Sequence, residues 1–167
     1  ADETMVPEFV PVGSDRFVVR ITASTHDESG FLQKANESSM ANTTRLNNKI
    51  AERVGEFSYF EYDSSEEAKI LIVSYGITSY SAREAVAKLR SQGRSVSLLL
   101  PKTLLPVPLE VKEIIMKYDK VIVAEENLMG IYRKILFGEI GPNNVSGVND
   151  IGHMVSPDKI VKEVNQF

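Results

Sequence analysis

Lys69-Ile70-Leu71-Ile72-Val73-Ser74-Tyr75-Gly76 decides the fold. The run is apolar without alternation, which asks for burial on both faces, as in the middle of a parallel sheet, and the glycine ends it. Two further runs have the same character, Ser95 to Leu100 and Lys120 to Ala124. Between and after them the period changes to that of helices. Ser81 and Glu84 form a capping box ahead of the stripe Ala82, Ala85, Val86 and Leu89, which stops at Gly93. Pro108 suits the first turn of a helix whose buried side is Val111, Ile114 and Ile115. Asn127 can cap a helix carrying Leu128, Ile131, Ile135 and Leu136, closed by Gly138. A weak strand around Val145 to Ile151 follows, and Ser156-Pro157 opens a last helix with Ile160, Val161 and Val164 inward. Strands separated by single short helices specify an α/β fold, a mostly parallel sheet covered on both sides with right-handed crossovers.

Working outward, Phe57 to Tyr62 is aromatic-rich and strand-like. Before it, Leu46, Ile50 and Val54 recur at helical spacing, and Gly55 stands where a C-terminal cap belongs. The opening stretch to about Asn48 is rich in Ser, Thr and Asn and holds few apolar residues, with Phe17 to Thr22 as a possible short strand. Residues 1–48 therefore read as an irregular N-terminal arm or linker, and residues 49–167 as the α/β domain.

The 167 residues suit one domain with a good core, and 43% hydrophobic with 25% charged residues is ordinary for a globular protein. A formal net charge of −4 argues against nucleic-acid and anionic-membrane partners, which need a basic surface. The absence of cysteine removes disulfides, thiolate metal sites and Cys nucleophiles together. No apolar run approaches the length of a membrane span. Ala1-Asp2-Glu3-Thr4 is acidic, lacks an initiator Met and does not read as a signal peptide, so the chain is expected to be cytoplasmic and cut from a longer protein.

In open α/β sheets ligands bind beyond the carboxyl ends of the strands, here Gly76-Ile77-Thr78, Pro101-Lys102-Thr103 and Glu125-Glu126-Asn127. Tyr75-Gly76-Ile77-Thr78-Ser79 has one glycine and matches neither the dinucleotide fingerprint nor a Walker A loop. Either a phosphate is held at that helix start or Thr78 and Ser79 are caps of a tight turn. Glu125 and Glu126 invite an acid/base role, yet neighbours on a strand point to opposite faces and are not a working pair. One of them is expected to accept backbone hydrogen bonds or to meet a partner subunit. His26-Asp27-Glu28 looks like a metal or relay cluster, but one His beside two acids in a polar loop fits a turn or an interdomain contact better. No Ser sits in a nucleophile elbow. No catalytic residue and no metal site is expected.

With these residues in view, the chain resembles the C-terminal domain (core domain II) of the alpha subunit of 2-oxoacid:ferredoxin oxidoreductases, the 2-oxoglutarate and branched-chain types above all. The marks are Thr25-His26-Asp27-Glu28-Ser29-Gly30, Arg45-Leu46-Asn47-Asn48-Lys49-Ile50, the strand Ala68 to Gly76, the proline loop Leu105-Pro106-Val107-Pro108, and Val123-Ala124-Glu125-Glu126-Asn127-Leu128-Met129-Gly130. Together they run from about Ser24 to the C-terminus. Val107 stands where the family usually has an aromatic, and Ile131 where it usually has Gln.

The resemblance implies a three-layer α/β/α sandwich like the C-terminal domain of transketolases, with about five strands and an antiparallel edge strand, Phe57 to Tyr62. It implies a parent enzyme that oxidatively decarboxylates a 2-oxoacid to an acyl-coenzyme A on thiamine diphosphate and magnesium, passing electrons through iron–sulfur clusters to ferredoxin. This chain would bind none of these cofactors. Its partners would be the N-terminal domain of the same subunit, the beta subunit and, through the complex, ferredoxin. The residues expected at interface or ligand loops are His26, Asp27, Gly30, Gly76, Thr78, Pro106, Pro108, Glu125, Asn127 and Gly130. Two alternatives stay open: the C-terminal domain of a transketolase or of a 2-oxoacid dehydrogenase first component, and a free-standing module that binds a small ligand or a protein.

Overall fold

The computed structural model describes residues 10–18, 24–27 and 29–167. The chain divides into two compact units, 1–54 and 55–167.

In the first unit, β1 (Thr25–His26) and β2 (Leu32–Gln33) pair antiparallel, with Thr25 opposite Gln33. The helix α1 follows, Glu37–Ala51. It begins nine residues before Leu46, so the stretch up to Asn48 is not irregular throughout. Its sequence, ESSMANTTRLNNKIA, is poor in apolar residues and in strong helix formers, which is why periodicity underestimates its length. Local hydrogen bonds hold the start: Asn36 Oδ1 accepts from the Ser39 N–H at 2.8 Å, and Ser39 Oγ donates to the Asn36 carbonyl at 3.1 Å. The C-cap is Glu52, and Gly55 lies instead inside a 3₁₀ turn, Val54–Phe57. Of the short strand expected at Phe17 to Thr22, residues 19–23 lie outside the described part, and Phe17 and Val18 are in no strand.

The second unit carries the sheet. Its elements are β3 (Phe60–Asp63), β4 (Ile70–Ser74), α2 (Thr78–Ser91), β5 (Val96–Pro101), α3 (Leu109–Ile115), β6 (Lys120–Glu125), α4 (Ile131–Phe137), β7 (Val145–Asn149) and α5 (Pro157–Val164). The strand order is β3-β5-β4-β6-β7. Four strands run parallel, and β3 closes one edge antiparallel to β5, with Phe60 opposite Pro101. This is the five-stranded, mostly parallel sheet with one antiparallel edge.

The central run explains the layering. Leu71 and Val73 point to one face of β4 and Ile72 to the other, all fully buried. Ile72 joins Leu98, Ala85, Leu89, Ile160 and Val164 beneath α2 and α5. Leu71 and Val73 join Val111, Ile115 and Tyr132 beneath α3 and α4. Each buried aliphatic side chain contributes roughly 1.5–3 kcal/mol, so the two cores together fix the sheet. Ser74 is the polar exception in the run, and its Oγ donates to the Ala124 carbonyl of β6 at 2.9 Å.

Two local readings change. α2 starts at Thr78 after an Ile77 N-cap, so Ser81 is a buried residue inside the helix and not half of a capping box. Gly76, at φ +57°, makes the tight exit from β4 that lets the helix begin early. The apolar residues named for the helix after Asn127 divide. Leu136 packs against the core, whereas Leu128, which precedes α4, and Ile131 and Ile135 are 71%, 51% and 42% exposed. Tyr132 is the fully buried residue of the helix.

Candidate functional site

The carboxyl ends of β4, β6 and β7 converge on one buried carboxylate. Glu125, the last residue of β6, is 1% exposed. Its Oε2 accepts from the Tyr132 N–H at 2.8 Å, from Asn127 Nδ2 at 2.7 Å and from the Tyr75 hydroxyl at 3.3 Å. Its Oε1 accepts from the Arg133 N–H at 3.0 Å. Asn127 completes the arrangement, its Oδ1 accepting from the Ile131 N–H at 3.0 Å. Asn149 Nδ2, from the end of β7, donates to the Asn127 carbonyl at 3.0 Å.

The sequence Glu-Glu-Asn-Leu-Met-Gly is thus a device for starting a helix. Gly130 turns the chain with φ +63°, a conformation in which L side chains are strained. The first N–H groups of α4, which lack intrahelical acceptors, are taken by Asn127 and Glu125. Glu125 is the one of the two glutamates that accepts backbone hydrogen bonds, while Glu126 is exposed. Sealed from water with both oxygens engaged, Glu125 positions α4 and is not placed to move a substrate proton.

Two tyrosines flank it. The rings of Tyr75 and Tyr132 meet edge-on with centroids 5.2 Å apart. Burial, then the adjacent Glu125 charge, raises the Tyr75 phenol above its ordinary range. Burial likewise pushes Tyr132 up to about 12, with Tyr75 and Glu125 adding to it. The Tyr132 hydroxyl, Arg133 Nε and Ser146 Oγ are buried without a hydrogen-bond partner among the described residues.

A shallow cleft of about 280 Å³ lies beside this cluster, lined by Tyr75, Gly76, Pro101, Lys102 and Leu104. Lys102 is paired with Glu61 at 2.9 Å. Thr78 is buried in the first turn of α2, and Ser79 Oγ donates to the Gly76 carbonyl at 2.6 Å, the bonding of a tight turn. Pro106 follows a cis peptide bond and Pro108 is the N-cap of α3.

The remaining expected residues sit in the first unit. Asp27 accepts from the Ser29 and Phe31 N–H groups at 3.0 and 2.9 Å and from Gln33 Nε2 at 2.9 Å. The Phe31 and Gln33 bonds hold its carboxyl below the usual carboxylate range. Gly30, at φ +79°, closes the turn by donating to the Asp27 carbonyl. His26 and Asp27 line a cavity of about 390 Å³ with Ser38, Ala41, Asn42 and Arg45. Among the described residues, no group of three or more His, Asp and Glu is placed to hold a metal ion.

The structure therefore gathers Glu125, Asn127 and Gly130 into one network and puts Gly76 and Thr78 at the neighbouring strand end. Tyr75, Tyr132, Arg133 and Asn149 belong to that network and escaped the sequence reading. Gly147 was the available signal, a glycine inside a strand. A Cβ there would lie 2.8 Å from Asn149 Oδ1 and 3.0 Å from Arg133 Nε.

Comparison with solved structures places the fold in the transketolase-like class of α/β/α domains. The 2-oxoglutarate:ferredoxin oxidoreductase from Magnetococcus marinus, solved with 2-oxoglutarate, coenzyme A and succinyl-CoA bound, superposes with a TM-score of 0.76 at 23% identity, over 99% of this chain and 29% of that one. A split-gene transketolase, an inactive tetramer, gives a TM-score of 0.50 at 19% identity, over 64% of this chain and 40% of that one. The chain belongs to the pyruvate:ferredoxin oxidoreductase core domain II family, whose pattern matches residues 68–157. Curated relatives agree. The 2-oxoglutarate synthase subunit KorA of Methanocaldococcus jannaschii is 32% identical over 80% of this chain and 36% of its own length. That of Methanothermobacter thermautotrophicus is 29% identical over 98% of this chain and 44% of its own length. The chain thus spans less than half the length of the curated relatives it matches.

Proposed function

We propose that this chain is the C-terminal domain of the alpha subunit of a thiamine-diphosphate-dependent 2-oxoacid:ferredoxin oxidoreductase, and that it supplies packing surface and loops to that enzyme but no catalytic group. The parent reaction converts a 2-oxoacid, coenzyme A and oxidised ferredoxin to an acyl-coenzyme A, carbon dioxide and reduced ferredoxin. Thiamine diphosphate, magnesium and iron–sulfur clusters belong to the parent complex. The partners are the N-terminal domain of the same subunit, the beta subunit and ferredoxin, and the setting is the cytoplasm of an anaerobic metabolism. No helix among the described residues is long and apolar enough to cross a membrane. In this reading the stretch 1–48 is an arm leading into the α/β domain 49–167, and the loops at His26, Gly76, Pro106 and Glu125 face partners.

The observation that carries the non-catalytic role is the state of Glu125. The most strongly placed carboxylate at the carboxyl ends of the strands is spent on α4, and the cleft next to it presents a lysine already paired with Glu61. The oxidoreductase relatives favour this parent over a transketolase, whose likeness is one of fold.

The test is to express the complete subunit with its beta partner and assay 2-oxoacid- and coenzyme-A-dependent reduction of a viologen dye. Turnover is expected with at least one of 2-oxoglutarate, pyruvate and 2-oxoisovalerate, and its absence with all three would overturn the assignment. Calorimetric titration of this chain with thiamine diphosphate and magnesium should show no binding; tight, magnesium-dependent heat would contradict the division of labour.

A further inference from the structure

The cavity of about 390 Å³ in the first unit is rich in hydrogen-bond donors and poor in open acceptors. Its carboxylate and its amide oxygen are already engaged inside the protein. Asp27 Oδ1 accepts from the Ser29 and Phe31 N–H groups, and Oδ2 accepts from Gln33 Nε2. Asn42 Oδ1 accepts from Nε and Nη2 of Arg45 at 3.3 and 2.8 Å. What Arg45 and Asn42 retain are donors, Nη1 of the one and Nδ2 of the other, with no acceptor among the described residues.

Arg45 differs from the arginines of the second unit. Arg83 and Arg90 pair with Glu61 and Asp63, and Arg94 donates to the Val164 carbonyl. In α1 the one acid is Glu37 at the start, so no carboxylate stands a turn away from Arg45. Its half-buried guanidinium is aligned by a neutral amide and keeps its charge unbalanced by any acid beside it on the helix. A planar fork held in that way suits the two oxygens of a carboxylate or phosphate.

The walls are fixed before any ligand arrives. Gln33, which donates to Asp27, accepts from Asn36 Nδ2 at 3.0 Å, and Asn36 in turn caps α1 through the Ser39 N–H. The Thr25 and Thr43 hydroxyls meet at 3.3 Å and tie the hairpin to the middle of the helix. Side-chain hydrogen bonds thus hold β1, β2 and α1 together where apolar residues are scarce, and a preorganised cavity loses little on binding.

We infer that this cavity binds a small molecule ending in an oxyanion, a carboxylate or a phosphate, gripped by the Arg45 fork with Asn42 beside it. His26 and Ser38 line further parts of the space, whose volume admits a ligand larger than the anionic group alone. The site is built wholly from the first unit, so it does not depend on which parent enzyme the chain serves.

The test uses the complete polypeptide that contains these residues. Phenylglyoxal is reacted with its guanidinium groups, and labelling of each arginine is followed by peptide mass spectrometry. The reaction is run with millimolar inorganic phosphate, with millimolar succinate, or with sodium chloride at matched ionic strength. Either probe that fits should slow labelling of Arg45 about tenfold relative to chloride and leave the exposed Arg16 unchanged. Protection by phosphate alone assigns a phosphate ligand, protection by succinate alone a carboxylate, and protection by both the shared chemistry. Protection by neither, or equal slowing at Arg16, would overturn the inference. Asn42→Asp supplies a second arm. It sets a carboxylate one turn from Arg45 and closes the fork internally, so protection should vanish while helix content by circular dichroism stays the same. Protection that survives in Asn42→Asp would sink the site as well.

Discussion

The helices α4 and α5 have nearly the same length, seven and eight residues, and both follow a polar N-terminal signal in the sequence. Their apolar residues meet opposite fates. In α5, Ile160, Val161 and Val164 are buried against the sheet as their spacing leads one to expect. In α4 Ile131 and Ile135, one helical turn apart, face outward, and a tyrosine takes the inner position. Periodicity reports that a helix has an apolar side; it does not report whether the sheet of its own domain covers it. α5 is held by the side chains it buries, and α4 by the buried Tyr132 together with hydrogen bonds to a buried carboxylate.

The largest expected difference follows directly. Ile160→Ala deletes fully buried atoms between α5 and the sheet and should destabilise the chain by about 2–5 kcal/mol. Ile135→Ala in α4 should cost about 0.5 kcal/mol or less in this chain, because the removed atoms already meet water. Urea unfolding of the two variants decides the matter, and comparable losses would break the contrast. Next in size, Glu125→Gln leaves the carboxamide nitrogen facing one of the N–H donors that now point at Oε1 and Oε2. One buried donor then loses its acceptor, and a loss of about 2–3 kcal/mol is expected, seen as a lower midpoint on thermal melting.

How far these helices were legible depended on what kind of interaction made them. The strands at Lys69, Ser95 and Lys120 and the cap at Ser156 were readable, because burial on both faces and a Ser-Pro start leave marks in adjacent residues. The antiparallel pairing of the exposed edge strand near Phe60, by contrast, followed only from the family resemblance. The Glu125 network was legible only in its first half. Glu125 and Asn127 stand together at a strand end, but Tyr75, Tyr132 and Asn149 reach them across the sheet and share no local pattern with them. α1 was read nine residues short for the opposite reason: it is held at its start by short polar side chains bonding their own backbone, and such residues mark caps and turns as readily as helix interiors.

Tyr132 offers a smaller effect that belongs to α4 alone. An unperturbed phenol releases its proton near 10, whereas the buried one keeps it to about 12. Between those values the folded chain binds more protons than the unfolded one, so stability falls as pH rises through that window and is flat with respect to this group below it. Tyr132→Phe should remove that part of the alkaline loss, measured as the pH dependence of the urea midpoint from pH 9 upward. An unchanged slope would mean that the ring is not sealed as described.

The smallest effect tests the start of α5. Ser156 Oγ accepts from the Lys159 N–H at 3.4 Å, a long bond, and Pro157 already presets the first turn. Ser156→Ala should therefore cost about 0.5–1 kcal/mol, toward the lower end of the usual range for a lost cap. Asn127→Ala is the matching change in α4, where the side chain accepts from Ile131 at 3.0 Å and also donates to Glu125. It should cost more than Ser156→Ala, because it strips a bond from the carboxylate as well as from the helix start. If the two variants unfold at the same urea concentration, α4 is held by the packing of Tyr132 alone, and the hydrogen bonds at its start no longer set it apart from α5.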